Sequence, residues 1–245
     1  MKLTLTSPKE RICVALDVSD LETAKALAES LSDHVGFFKV GFELFTAVGP
    51  AAIVAVKDVG GKVFLDLKFH DIPATVSRAA VAATSMGVTL LNLHTSGGSE
   101  MMEKTVAAVA ETAKQRGLIR PLLLGVTVLT SLDPQILDRE LRVNGSLQDH
   151  VVHLAKLAMR AGLDGVIASP QEITLVREAC GPSCLIVTPG IRPSGEAAHD
   201  QRRIMTPREA IEAGADILVI GRPITGSSNP AEAADRIIDE IAQGR

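Results

Sequence analysis

Eight short apolar runs punctuate the chain: ICVAL, FFKV, KVFLDLK, VTLLNLH, PLLLGVTVL, DGVIAS, CLIVTPG and DILVIG. Each has the length and aliphatic content of a buried strand. Ala-rich amphipathic stretches lie between most of them, and those over 20–32, 72–86, 99–116, 147–161 and 229–243 read as helices. Asp20, Ser99 and Asn229 stand where N-caps belong, since a short polar side chain accepts the free amides of a first helical turn. Strands alternating with helices imply an α/β protein with a parallel sheet and right-handed crossovers. Eight such units in 245 residues predict one (β/α)8 TIM barrel over residues 1–245, with no linker, tandem repeat or low-complexity segment. The main alternative, an open doubly wound sheet, usually carries a Gly-rich turn after its first strand, and LDVSDLET is not one.

The period-2 alternation sorts side chains between the two faces of each strand. Cys13, Ala15 and Asp17 share one face, and Ile12, Val14 and Leu16 the other. In KVFLDLK, Val63, Leu65 and Leu67 point outward to the helices, while Phe64, Asp66 and Lys68 point inward. In LLNLH, Leu91 and Leu93 point outward, and Asn92 and His94 inward. The inward polar residues Asp17, Lys39, Asp66, Lys68 and His94 fall at the C-terminal ends of their strands. Barrels of this kind place their active sites at that end, whereas their inner layers are mostly aliphatic. A structural ion-pair layer is the plain alternative.

Asp66 and Lys68 are two apart on one strand and so enter the same cavity, with Asp71 just beyond. Two acids flanking a lysine hold its ammonium charged and in place. A lysine so held can deliver a proton to carbon. A Schiff base would need a neutral amine, which the acids oppose. Two acids could instead bind Mg²⁺. TPGIRP (188–193) and LVIGRP (218–223) each end a strand with Gly followed closely by Arg. Gly admits backbone N–H groups to an anion and Arg supplies a fork for phosphate oxygens, at the seventh and eighth strands where barrels often bind phosphate. The polar connection PSGEAAHDQRRIM (193–205) has the length of a lid, from which Gln201 could reach inward.

Composition narrows the function further. The net charge of −4, the absence of Trp and Tyr, and only six Phe leave neither a basic face nor stacking platforms for nucleic acid. Cys13, Cys180 and Cys184 are too few and too irregular for a disulfide scaffold and suit a reducing compartment. No signal peptide and no apolar run of about 18 residues is visible, so a soluble, cytoplasmic protein is expected, with no membrane partner. His150 and His153 share a helix face without a third ligand, and Ser169 in IASPQE lacks a nucleophile elbow.

Several motifs together resemble the orotidine 5′-phosphate decarboxylase family over nearly the whole chain. They are ALDV, FFKVG, FLDLKFHDIPATV, LNLHTSGG, GVTVLTS, TPGIRP, DQRR and VIGRPIT. The Asp-x-Lys-x-x-Asp-Ile-Pro-x-Thr string is the most specific of them. The resemblance implies that Lys68 donates a proton, Asp66 adjoins a departing carboxylate, and Asp17 and Lys39 bind ribose hydroxyls, with Lys39 and Asp71 part of the catalytic array. Asp71, Ile72 and Thr75 would reach into the site of a partner subunit in a homodimer. His94, Thr130 and Pro189 would contact substrate, with Thr130 on the pyrimidine. Arg192, Gln201, Gly221 and Arg222 would hold the phosphate. No metal and no organic cofactor is implied. Related 3-keto-gulonate-phosphate decarboxylases and hexulose-phosphate synthases share Asp-x-Lys-x-x-Asp but use Mg²⁺, and TPGIRP with DQRR fits the orotidylate enzymes better. A phosphosugar-binding protein without catalysis would have no need of Lys68 between Asp66 and Asp71.

Overall fold

The computed structural model describes residue 3, residues 5–193 and residues 205–243. Strand β1 (Ile12–Ala15) leads through α1 (Leu21–Leu31) to β2 (Phe37–Gly41), α2 (Phe42–Val48) and α3 (Ala51–Asp58). There follow β3 (Val63–Phe69), α4 (Pro73–Ser85), β4 (Leu90–His94), α5 (Ser99–Arg116) and β5 (Leu122–Val126). Next come α6 (Pro134–Arg139), α7 (Leu147–Arg160), β6 (Gly165–Ile167), α8 (Ile173–Cys180) and β7 (Leu185–Pro189). The described chain ends with α9 (Pro207–Glu212), β8 (Ile217–Ile220), α10 (Arg222–Thr225) and α11 (Pro230–Ala242). Each strand pairs in parallel with its sequence neighbours, and β1 pairs with β8, so the sheet closes as the (β/α)8 barrel that the alternation predicts.

Two apolar cores follow from the alternation. Cys13, Ala15, Phe37, Phe64, Leu90 and Val187 fill the barrel interior, joined at its N-terminal end by Leu3 and Leu5. The opposite parity, including Ile12, Val14, Leu65, Leu91 and Leu93, packs against the helices. The helices cover the barrel with Ala-rich faces because small side chains let helix and sheet approach closely. Asp20 and Asn229 cap α1 and α11 by accepting the amides of Thr23 and Glu232. Ser99 is not a cap: it is the first residue of α5, and Gly98 precedes it at φ +88°, a conformation that favours glycine. No helix among the described residues is long and apolar enough to cross a membrane.

One irregularity shapes the mouth of the barrel. Leu65 pairs with Leu91, but the next partner of Leu93 is Phe69. The third strand therefore holds Asp66, Leu67 and Lys68 opposite Asn92 alone, a bulge of the kind that re-aims side chains beside functional sites. Lys68 takes φ +42° there. A non-glycine residue in the left-handed region costs on the order of 1–2 kcal/mol unless its surroundings fix it.

Candidate active site

Four charges line up across three strands at the C-terminal end of the barrel. Asp66 is 8% exposed and Lys39 9%. Lys68 Nζ donates to Asp66 Oδ1 at 2.7 Å, and Lys39 Nζ stands 3.5 Å from Asp66 Oδ2. Lys39 Nζ also donates to Asp17 Oδ1 at 2.8 Å, which completes an alternating row Lys68–Asp66–Lys39–Asp17. Burial alone would push the Asp66 carboxyl up. The ammonium groups of Lys39 and Lys68, and the hydrogen bonds from Lys68 and Asn92, outweigh it and hold the carboxyl below its usual range. Burial likewise favours neutral Lys39, but Asp66 and Asp17 overcome it and raise its pKa. Lys39 and Asp66 stay charged because each is flanked on both sides by the opposite sign. Gly41 leaves room beside the row: a Cβ there would stand 2.7 Å from Lys39 Nζ and displace that ammonium.

The row forms the floor between two adjoining cavities. The inner one, about 180 Å³, is lined by Lys39, Asp66, Lys68, Thr130, Ser169 and Pro189 among others. The outer one, about 420 Å³, is lined by Asp17, Lys39, Pro189, Arg192, Gly221 and Arg222 among others. Gly190 follows β7 at φ +83°, a turn that only glycine makes without strain. Arg192 is 7% exposed, not the solvated turn residue that a plain loop would carry. A further cavity of about 400 Å³ lies at the other end of the barrel, but its acids Asp164 and Asp216 are already bound to Arg120 and Arg177.

His94 closes the β4 side of the mouth, its ring 5.2 Å from that of His70. Burial, with His70 and Lys68 nearby, lowers its pKa and keeps it neutral near pH 7. The Lys68 ammonium also lies 5.6 Å from the centre of the Phe42 ring. Asp71 corrects one expectation. It does not flank Lys68 within the chain: its carboxylate accepts the Ile72 N–H at 2.6 Å, and among the described residues Lys68 pairs with Asp66. The reason is the turn out of β3, which carries Asp71 to the exposed rim with Ile72, itself 66% exposed. Thr75 is half-buried on the first turn of α4. Gln201 and most of the connection over 193–205 lie outside the described residues.

Two residues of the site have no role assigned by sequence pattern. Ser169, two positions beyond inward Ile167, lines the inner cavity, and its buried hydroxyl meets no hydrogen-bond partner among the described residues. Its inward parity at the end of β6 was the available signal. Asn92 is fully buried and bridges Lys68 to Asp66. It faces inward as the alternation predicts, but its bridging depends on the bulge, which no apolar pattern reveals.

These features place the chain among the (β/α)8 barrels that carry a charged pocket at the C-terminal ends of their strands. Residues 10–237 match the model of the family described as orotidine 5′-phosphate decarboxylase / HUMPS. The orotidine 5′-phosphate decarboxylases of Geotalea daltonii and Trichlorobacter lovleyi are 52% and 53% identical to the chain over 242 residues. Those alignments cover 99% of this chain and 100% and 99% of the respective relatives. The crystal structure of orotidine 5′-phosphate decarboxylase from Lactobacillus acidophilus is similar at a TM-score of 0.83 and 38% identity, covering 94% of this chain and 98% of that one. The chain belongs to the orotidine 5′-phosphate decarboxylase / HUMPS family.

The charge row predicts a pH signature. Asp66 has a folded pKa below its unfolded value of about 3.9. Its contribution to stability is therefore complete above that value and is lost as pH falls through the folded pKa. Urea unfolding from about pH 7 to about pH 3 should show wild type losing stability more steeply in acid than Asp66→Asn. Equal slopes would contradict the pairing.

Proposed function

We propose that the chain decarboxylates orotidine 5′-phosphate to uridine 5′-phosphate and CO₂, the closing step of de novo pyrimidine nucleotide synthesis. The observation that carries this is the Lys68 ammonium, held 2.7 Å from buried Asp66 at the wall of the inner cavity. The pyrimidine enters that cavity, where Thr130 and the buried Ser169 hydroxyl offer hydrogen bonds to its polar edge. Asp17 and Lys39 meet the ribose hydroxyls, and His94 and Pro189 border the substrate. Arg192, Gln201, Gly221 and Arg222 hold the phosphate, with Gly221 and Arg222 at the end of β8.

The chemistry follows from the charges. The C6–carboxylate bond breaks, CO₂ departs, and the bonding electron pair remains on C6. Nothing in the ring delocalises that pair well, so an adjacent ammonium stabilises it electrostatically as it develops. Lys68 then transfers a proton from Nζ to C6 and is reprotonated by solvent. Asp66 stands beside the substrate carboxylate and disfavours it by like charge. Binding energy from the distant phosphate contributes to assembling the closed site. No metal or organic cofactor takes part in this reaction. Both Asp66 oxygens already face ammonium groups, and Oδ1 also accepts from Asn92, a donor set that competes with a divalent cation. This favours the orotidylate reaction over the Mg²⁺-dependent chemistry of the related sugar-phosphate enzymes.

The active form in this proposal is a cytoplasmic homodimer with shared sites. Ile72 and Phe42 are 66% and 58% exposed on the rim, and Asp71 is left to act across an interface. Asp71, Ile72 and Thr75 would then complete the partner's pocket.

Steady-state assays on orotidine 5′-phosphate should show Lys68→Ala losing roughly four decades or more of kcat/KM. Its affinity for uridine 5′-phosphate should change little. A mild loss of rate would remove Lys68 from the donor role. Mixing inactive Lys68→Ala with inactive Asp71→Ala should restore up to about a quarter of wild-type activity, since half the random dimers carry one intact site. No recovery on subunit exchange would argue against shared sites.

A further inference from the structure

The bulge in β3 leaves a backbone problem that one side chain solves. With Asp66, Leu67 and Lys68 opposite Asn92 alone, the Lys68 amide has no ladder carbonyl to meet. Asn92 Oδ1 accepts that N–H at 2.7 Å. Asn92 Nδ2 donates to Asp66 Oδ1 at 2.6 Å, the same oxygen that receives Lys68 Nζ. A fully buried amide thus grips Lys68 twice: directly by its backbone, and through Asp66 by its ammonium. The partners set the orientation of the amide, because an N–H needs an oxygen and a carboxylate needs a donor. Ionised aspartate in its place would accept but could not donate, and would set a second carboxylate against Asp66. Alanine or leucine would leave the part-buried Lys68 N–H without this partner. Asn92 is not among the residues lining either cavity, so it acts through its neighbours.

We propose that Asn92 is a positioning residue for the proton donor. It stabilises the left-handed backbone of Lys68 and aligns the Asp66 carboxylate, so that Nζ stands at the cavity wall. This rests on Lys68 being the donor in the reaction proposed above. The ribose and phosphate contacts come from other strands, so losing Asn92 should damage the chemical step and spare ligand binding.

The test compares wild type, Asn92→Ala and the near-isosteric Asn92→Asp. It measures turnover of orotidine 5′-phosphate, affinity for uridine 5′-phosphate by calorimetry, and fold by circular dichroism. Each folded variant should lose about 100-fold or more in kcat, the scale of a misplaced catalytic group. Affinity for uridine 5′-phosphate should stay within about threefold. Asn92→Asp retains the acceptor for the Lys68 amide and carries the test if the alanine variant does not fold. A kcat within about threefold of wild type in a folded variant would overturn the inference. So would a fall in kcat matched by an equal fall in nucleotide affinity, which marks a general structural lesion. An inactive wild type would instead overturn the decarboxylase reading beneath it.

Discussion

A carboxylate that is 8% exposed does not stay ionised unaided, and the mouth of this barrel is organised around keeping Asp66 charged. Lys68 and Lys39 face its two oxygens, and Asn92 adds a neutral donor. Lys39 in turn leans on Asp17, which is half in solvent and ends the row where water can screen it. Removing Lys39 would leave buried Asp66 short of a partner, a loss on the order of 3–5 kcal/mol for a buried pair. The row therefore has to be assembled as a unit, from β1, β2 and β3 together. Only a closed barrel brings the ends of these strands to one rim with their inward faces converging.

The same constraint explains why the strand is broken where it is. A regular β3 would place Asp66 and Lys68 on one face by simple alternation, side by side but with backbone geometry dictated by the ladder. The bulge adds residues opposite Asn92 and turns Lys68 to φ +42°, so its ammonium reaches back to Asp66 at hydrogen-bonding distance. The strain is local and is met by a side chain that replaces the missing ladder partner. Strain stored at a lysine that lines the inner cavity, and held by an asparagine outside that cavity, is the kind of feature that belongs to a site rather than to a scaffold.

Much of this was legible in the residues themselves. The eight apolar runs became the eight strands, and the inward parity of Phe64 and Asp66 held because period 2 is a geometric property of extended chain, whereas Lys68 reaches the same cavity through the bulge. The paired Gly-Arg turns at β7 and β8 lie at the mouth as their position implied. What failed to show was whatever depends on tertiary context. Asp71 looked like a second flank for Lys68 because sequence spacing is blind to the turn that carries it to the rim. Ser99 looked like a cap because a serine before an apolar face usually is one, yet Gly98 makes the turn. Asn92 showed only its direction, since its partners are defined by a register shift between β3 and β4, and it stands 24 residues from Lys68 in the chain.

The most direct test of the account is the initial rate at which the purified protein converts orotidine 5′-phosphate to uridine 5′-phosphate in excess EDTA, followed by ultraviolet absorbance. A carboxylate already held by two ammonium groups and an amide has no need of a divalent cation, so the account predicts turnover undiminished by the chelator. A rate that appears only when Mg²⁺ is restored would contradict it, as would turnover of sugar phosphates with none of the orotidylate.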